Sequence, residues 1–480
     1  MMPGMAKLAP LPDLTILSHP EKDVLIVSLH AQVKALLAGK SVRKDSHNSG
    51  VPPSADGLNK KKKKKTRSLR KPSGKKAGGQ PGHSGTTLIQ TAQPTEIVVH
   101  PLPTQCDHCH QRLPADGVRV AARRQVIDIP ATPYEVVEHQ ILELVCSCGQ
   151  VHASAFPSTV TEAVQYGSNV KALAVHLIHG QMLPYARTAQ LLGDLYGITP
   201  STGTLLAWVA EASAAFQATA NTIAAQLHAA PILHADESGL RVAAKLHWLH
   251  IAATSTHTWY GVHAKRGMEA IVAHGILPNR LGVLVHDCWA PYWTLDCIHA
   301  LCNAHLLREL VYVQELTGQA WPEQMSKFLC QTNALREAVR QKGIVLSGTD
   351  IAAFGTLYDS ILRDGEQRNP EVLKPSGKRG RVKQSVAFNL LRRMRQYADA
   401  VLRFIHDPAV PFTNNIGEHS VRMPKVKQKI SGCFRTLEGA QHFCVIRTCL
   451  ATLHKQGHGM LDAIRRAFAG NPLVSASCSP

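Results

Sequence analysis

From position 231 the chain takes on a pattern that few folds satisfy. PILHADESG, KLHWLHIAAT and HTWYGVHA are short, rich in β-branched and aromatic residues, and separated by turn-forming residues, so each predicts a strand. GMEAIVAHG predicts a helix, LGVLVHD a strand, and HALCNAHLLRELVYVQEL a short strand running into a helix. With a helical link between the last two strands, the order is β-β-β-α-β-α-β-α. Strands interleaved with helices form a mixed sheet with helices on its faces. That is the order of a ribonuclease H-like domain. Residues 316–404, mostly helical and basic, read as an insertion into it. GAQHFCVIRTCLATLHKQG and GMLDAIRRAFAG predict the closing helices.

Two of the predicted strands carry an acid. Asp236 ends the apolar stretch in PILHADESGL, and Asp287 ends the one in LGVLVHDCWAPY. An apolar run ending in an acid predicts a buried strand that delivers a carboxylate to a sheet edge. Glu418 lies in PFTNNIGEHSVRMPKVKQKISGCFR. Two such strands and a carboxylate on a later helix can hold two divalent cations for in-line phosphoryl transfer. Oxygen ligands suit Mg²⁺ or Mn²⁺. A single Asp is usually a cap or a surface charge, a reading that explains two strand-end Asp residues less well. Glu309 and Glu323 are rivals for the third place, although the setting of Glu323, AWPEQM, is plain. Glu418 is followed by Arg422, Lys425, Lys427, Lys429 and Arg435. Arg422 falls one helical turn after Glu418, so both can face one site, where cations hold phosphate oxygens.

The 480 residues suffice for two to four domains, and no apolar run is long enough to cross a bilayer. The chain carries 53 Lys and Arg against 34 Asp and Glu, a formal charge of +19 that points to a polyanion such as nucleic acid. Lys60 to Lys76 holds 11 basic residues in 17, among them Lys62, Lys63, Arg67 and Arg70, and no acid. Self-repulsion predicts an extended arm along a phosphate backbone, with a solvated linker as the alternative. The N-terminus lacks the layout of an export signal, so the 12 cysteines are expected to be reduced thiols and metal ligands. Cys106-x-x-Cys109 and Cys146-x-Cys148 flank a stretch with strand character, RRQVIDIPATPYEVVEHQILELV. This predicts a zinc ribbon with one structural Zn²⁺, for which His108, His110 and His152 are substitute ligands or surface histidines.

The remaining boundaries follow from periodicity. An N-terminal helix with a short coiled-coil seam (Ile26, Leu29, Val33, Leu36) falls in 1–57. The basic arm falls in 58–95 and the ribbon in 96–160. A helical region falls in 161–227, where Gly197 suits a C-cap and Ser201 an N-cap. It is either a DNA-binding helix-turn-helix or a plain connector. The catalytic domain then spans 228–450 and a helical tail 451–480.

Several of these segments together carry a resemblance. HADESG, VHDCWAPY, CNAHLLREL and VPFTNNIGEHSVRMPKVKQKISGCFR resemble the catalytic segments of DDE transposases of the IS-sixty-six insertion-sequence family. NSGVPPSAD, KKAGGQPGHSG, the four-cysteine ribbon and IRTCLATLHKQG resemble its layout, so the likeness covers about residues 20 to 470. Two departures stand out: the usual Asp-Glu-Thr is Asp236-Glu237-Ser238, and the usual Arg-Lys-Asn is Gln428-Lys429-Ile430.

The resemblance implies an α/β chain with a ribonuclease H-like catalytic core. It implies that Asp236, Asp287 and Glu418 are the metal-binding triad, Asp236 bridging two metals. It also implies a bacterial, cytoplasmic enzyme that cleaves the ends of an insertion sequence in duplex DNA. The freed end is then joined to target DNA. A homo-oligomer is expected in the active complex, with accessory element-encoded proteins as further candidates and no membrane partner. Cys302 and His305 match a C-x-x-H element of several transposase families, for which a packed Cys and a hydrogen-bonded His are the simpler reading and zinc the other. The alternatives are a transposase-derived DNA-binding protein without catalysis and a structure-selective nuclease.

Overall fold

The computed structural model describes Ser18 and residues 44–49, 90–113, 119–126, 134–145, 147–148, 150–373 and 382–477. The lysine run Lys60–Lys76, the helix expected near 21–40 and Cys146 lie outside the described residues. The chain forms two compact units. One comprises Arg67–Thr161 with Asp194–Gly197, and the other Met1–Thr66, Glu162–Gly193 and Ile198–Pro480.

In the smaller unit, β1 (Glu143–Val145) and β2 (Val151–Ala153) pair antiparallel. Gln105 and Arg112 bridge a second turn, closed by Cys106 N–H donating to Gln111 O at 2.9 Å. The strand character expected over 123–145 is realised, among the described residues, only at Glu143–Val145. Val126, Val136 and Leu142 are exposed there, and β-branched residues without a surface to cover do not hold a strand.

The first described helix of the larger unit is α1 (Ser168–Val175), which runs into a π-helical turn at His176–Gly180. Then come α2 (Tyr185–Tyr196) and α3 (Thr202–His228). Gly197 takes φ +68° and the Ser201 side chain accepts from Thr204 N at 3.0 Å, the two caps expected from sequence. Helix α3 extends well past Phe216, where the apolar pattern thins into alanines. It stays helical because Ala220, Ile223 and Leu227 remain buried on one face.

The five-stranded sheet consists of β3 (Ile232–Val242), β4 (Lys245–Ala253), β5 (Thr258–His263), β6 (Val283–His286) and β7 (Ile298–Leu301), in the order β5-β4-β3-β6-β7. Strands β3, β6 and β7 are parallel, and β4 is antiparallel to both its neighbours. Helix α4 (Met268–His274) links β5 to β6, and a short 3₁₀ helix (Ala290–Thr294) links β6 to β7. Strand β7 leads through Cys302 into α5 (Asn303–Thr317). The strands and helices occur in the order expected, except that the β6–β7 link is only the 3₁₀ helix.

The segment read as an insertion holds α6 (Trp321–Gln341), α7 (Gly348–Arg368), α8 (Val386–Gln396) and α9 (Ala398–His406). It packs around Trp321, Met325, Leu362, Leu391 and Phe404, all essentially sealed from solvent. Helices α10 (Asn415–Ser431), α11 (Leu437–Lys455) and α12 (Met460–Phe468) follow. Helix α11 covers the outer sheet edge. Thr448 Oγ1 accepts from Tyr260 N and Thr452 Oγ1 from Thr258 N, both at 3.0 Å. Threonines four apart on a helix thus meet residues two apart on β5, so these two edge amides are satisfied without another strand. No described helix is long and apolar enough to cross a membrane.

Candidate active site

Gly282 sets the approach of β6 to β3. A Cβ there would lie 2.3 Å from the Pro231 carbonyl oxygen, which also accepts from Val283 N at 2.7 Å. The parallel register pairs Ile232 with Val283 and His234 with Val285. Asp236 and Asp287 each lie two residues past the last pair of that register, so both stand just beyond the end of the parallel pairing. The β6–β7 register pairs His286 with Leu301, and one residue further it sets Asp287 beside Cys302. The site thus spans three adjacent strands where their parallel pairing stops.

Asp236 does not end its strand. It is the fifth residue of the eleven in β3, which continues because β4 pairs with it as far as Val242, whereas β6 pairs only with Ile232–His234. The carboxylate therefore stands where one side of β3 has lost its neighbour. Asp236 Oδ1 accepts from Glu237 N at 2.8 Å. Burial, and then the charges of Glu237, Asp287 and Glu418, push its carboxyl up to about 8. Asp287 Oδ1 accepts from Trp289 N at 3.0 Å. Between them Cys288 takes φ +72°, a left-handed conformation that strains a residue with a Cβ.

Glu418 lies in the first turn of α10, and Asn414 fixes that end of the helix to β3. Fully buried, Asn414 donates from Nδ2 to Ala235 O and pairs through Oδ1 with His234 Nδ1, both at 2.8 Å. Further along, Pro424 has no N–H to give the Ser420 carbonyl. The Tyr260 hydroxyl donates to that oxygen at 2.9 Å, so the break in the helix ladder becomes a tie to the sheet. The charge of Glu418 reaches Asp236, and its Oε1 has Cys302 Sγ and His305 Nδ1 at 3.7 Å and an Arg308 nitrogen at 3.8 Å. Burial and the Glu418 charge push the Cys302 thiol up to about 12.

Neither rival has the setting of Glu418. Glu323 is exposed and pairs with Lys327 at 2.8 Å. Glu309 is paired to Arg393. Glu237, which sequence reasoning gave no role, is buried with a side chain only 2% exposed. Arg266 Nε donates to its Oε1 at 3.0 Å and Tyr292 to its Oε2 at 2.5 Å. Desolvation raises its pKa, and these two partners work against the rise. The Tyr at the end of DCWAPY was the available sequence signal, but nothing local connects it to a residue 55 positions away.

Among the basic candidates, Arg422, Lys429 and Arg435 are exposed. Lys425 is half-buried, its Nζ donating to Gly239 O at 3.1 Å, and Gln428 shares that carbonyl at 3.2 Å. Lys427 lies over the Phe434 and Phe443 rings. Lys62, Lys63, Arg67 and Arg70 lie outside the described residues. In the smaller unit, Cys106 is held below the usual thiol range by the backbone N–H groups of Cys109 and His108. Cys109 and Cys148 are exposed.

No curated protein matches the chain. Among solved structures it is similar to the Drosophila P element transposase strand transfer complex, with a TM-score of 0.28 and 10% identity over 62% of this chain and 94% of that chain. Residues 163–442 match the Transposase IS66 family, a stretch that contains Asp236, Asp287, Glu418 and the whole sheet. More than half of the chain lies within that match, and the protein belongs to the IS66 family of transposases.

Proposed function

We propose that the chain is a DDE transposase with a ribonuclease H-like core. It would cut the ends of its element and join them to target DNA at a centre made by Asp236, Asp287 and Glu418. The observation that carries this reading is geometric. Asp236 on β3 and Asp287 just past β6 stand where the parallel pairing of the two strands ends, and Asn414 ties the start of α10, which carries Glu418, to the Ala235 carbonyl beside Asp236. Carboxylates gathered in this way favour a bound cation, and their oxygens fit Mg²⁺ or Mn²⁺. Two such ions, when bound, supply Lewis acidity and an activated water for breaking a phosphodiester.

The chain's own residues do the positioning. Asp236, Asp287 and Glu418 would hold the metals. Asn414 and Tyr260 keep α10, and with it Glu418, against the sheet. Arg266 and Tyr292 occupy Glu237, so this fourth acid is kept out of the ligand set. Arg422, Lys429 and Arg435 face solvent on and beyond α10, where they hold phosphates of bound duplex. In strand transfer the freed 3′ hydroxyl forms a new phosphodiester as one bond of the target strand breaks. The four cysteines would hold one structural Zn²⁺, with the Cys106 thiolate favoured by its backbone donors. Helices α2 and α3 and the lysine arm would bind duplex DNA, in a homo-oligomeric complex with or without accessory element-encoded proteins.

The test is a cleavage assay on end DNA with Mg²⁺. Asp236→Asn, Asp287→Asn and Glu418→Gln are each expected to reduce cleavage by at least a thousandfold while duplex binding stays within a few-fold. Normal cleavage by Glu418→Gln would overturn the assignment of the third carboxylate.

A further inference from the structure

The proposed centre uses Glu418 but leaves Cys302 and His305 without a task. We propose that Cys302, His305 and Glu418 form a separate transition-metal site that binds Zn²⁺, and that zinc bound there draws Glu418 away from the Mg²⁺ centre. This rests on the reading of Glu418 as a ligand for the hard cations.

One donor atom from each of the three side chains lies within 4.8 Å of the others, the one such grouping among the described residues. The sulfur and the imidazole nitrogen each stand 3.7 Å from the same Glu418 oxygen. That is too long for a good N–H···O bond. It is close to the spacing of roughly 3.3–3.7 Å between ligands of a tetrahedral ion with bonds of about 2.0–2.3 Å. The C-x-x-H spacing puts Cys302 and His305 on one side of the first turn of α5. His305 Nδ1 is buried with no hydrogen-bond partner. Cys302 Sγ already accepts the Asn414 N–H at 3.1 Å, a contact that also supports a thiolate. Sulfur, nitrogen and oxygen donors together suit zinc and not magnesium. On binding, the thiol releases its proton to solvent and the sulfur bonds the metal. Arg308, 3.8 Å from the shared oxygen, is the resident cation that zinc would displace.

The site therefore makes Glu418 a ligand contested between two metals. Micromolar zinc would hold it as part of a sulfur-containing set and leave the Asp236–Asp287 centre short of a ligand.

Equilibrium dialysis of the full chain against micromolar Zn²⁺, followed by metal analysis, tests this. Any ribbon zinc is common to all the variants. Cys302→Ser and His305→Ala should each bind one zinc fewer per chain than wild type. With Co²⁺ as the probe, Cys302→Ser should also lose part of the thiolate charge-transfer absorbance. His305 is the less buried of the two, so His305→Ala keeps the test decisive should Cys302→Ser fail to fold. In Mg²⁺-dependent cleavage, the zinc concentration that halves the wild-type rate should rise at least tenfold in His305→Ala. Equal zinc content and equal zinc sensitivity across the three proteins would overturn the inference. A wild type that never cleaves with Mg²⁺ would overturn the reading of the triad instead, and the dialysis would still decide the zinc site.

Discussion

Replacing Asp236 by Asn should stabilise the metal-free protein and at the same time end its response to Mg²⁺. The Asp236 carboxyl moves from 3.8 to about 8 on folding. Between those values the folded state holds a proton that the unfolded state releases, so stability falls as pH rises from about 4 to about 8. Each pH unit costs about 1.36 kcal/mol, which reaches on the order of 4 kcal/mol at pH 7. Discounting about half for relaxation and water penetration around the carboxyl leaves ~2 kcal/mol. Asn keeps an oxygen to accept from Glu237 N but cannot ionise. For a unit of this size ~2 kcal/mol corresponds to roughly 2–3 °C in Tm. Thermal melts followed by circular dichroism in EDTA at pH 5, 7 and 8.5 measure it. The variant should melt above wild type by a margin that widens with pH. Millimolar Mg²⁺ should then raise the Tm of wild type and leave Asp236→Asn unchanged. A variant that melts below wild type at pH 8.5, or a margin that ignores pH, would refute the reasoning. Equal Mg²⁺ stabilisation of both would place the ion elsewhere.

Three further outcomes are expected. Asn414→Ala removes a buried donor to Ala235 O and the partner of His234, so it should cost about 2–3 kcal/mol in denaturant titrations and slow cleavage more than tenfold, with duplex binding retained in filter assays. Replacing Cys106 and Cys109 by Ser should lower the zinc content by about one ion per chain and make residues 96–160 sensitive to protease, because that small unit buries little apolar surface. Deleting residues 60–76 should flatten the plot of log affinity against log salt by about 0.9 for each duplex phosphate that the arm neutralises, for end DNA and random DNA alike, in fluorescence anisotropy titrations. An unchanged slope would make the lysine run a solvated linker.

The strands were legible because burial on two faces writes itself into sequence as short apolar runs, and LGVLVHD gives both β6 and the Asp that follows it. Asp236 was legible as an acid beside an apolar run, but its place in mid-strand was not. Strand β3 continues because β4 pairs with it, and the tip of that hairpin is tied to a distant segment. Ala243 and Ala244 take φ of +48° and +62°, a turn that usually needs Gly or Asn. Ala243 N donates to Phe434 O at 2.8 Å, and Phe434 N to Arg241 O at 2.9 Å. The segment after α10 thus holds open a turn that the local sequence does not favour.

The same distinction runs through the site. Glu418 stood out because basic residues follow it along one helix. What places it stays hidden until the chain is folded. Pro424 would ordinarily argue against a long helix, yet α10 passes through it because Tyr260 satisfies the carbonyl that proline leaves without its N–H. Asn414 stands at the N-cap of α10, but its side chain makes no capping bond and spends its polar atoms on β3. Cys302 and His305 read as a packed cysteine and a hydrogen-bonded histidine, with zinc as the other reading, and their convergence with a residue 116 positions from the cysteine depends on that placement of α10. Patterns along one element marked the candidate ligands. The groups that aim them come from partners 160 to 180 residues away, and no local periodicity records those pairings.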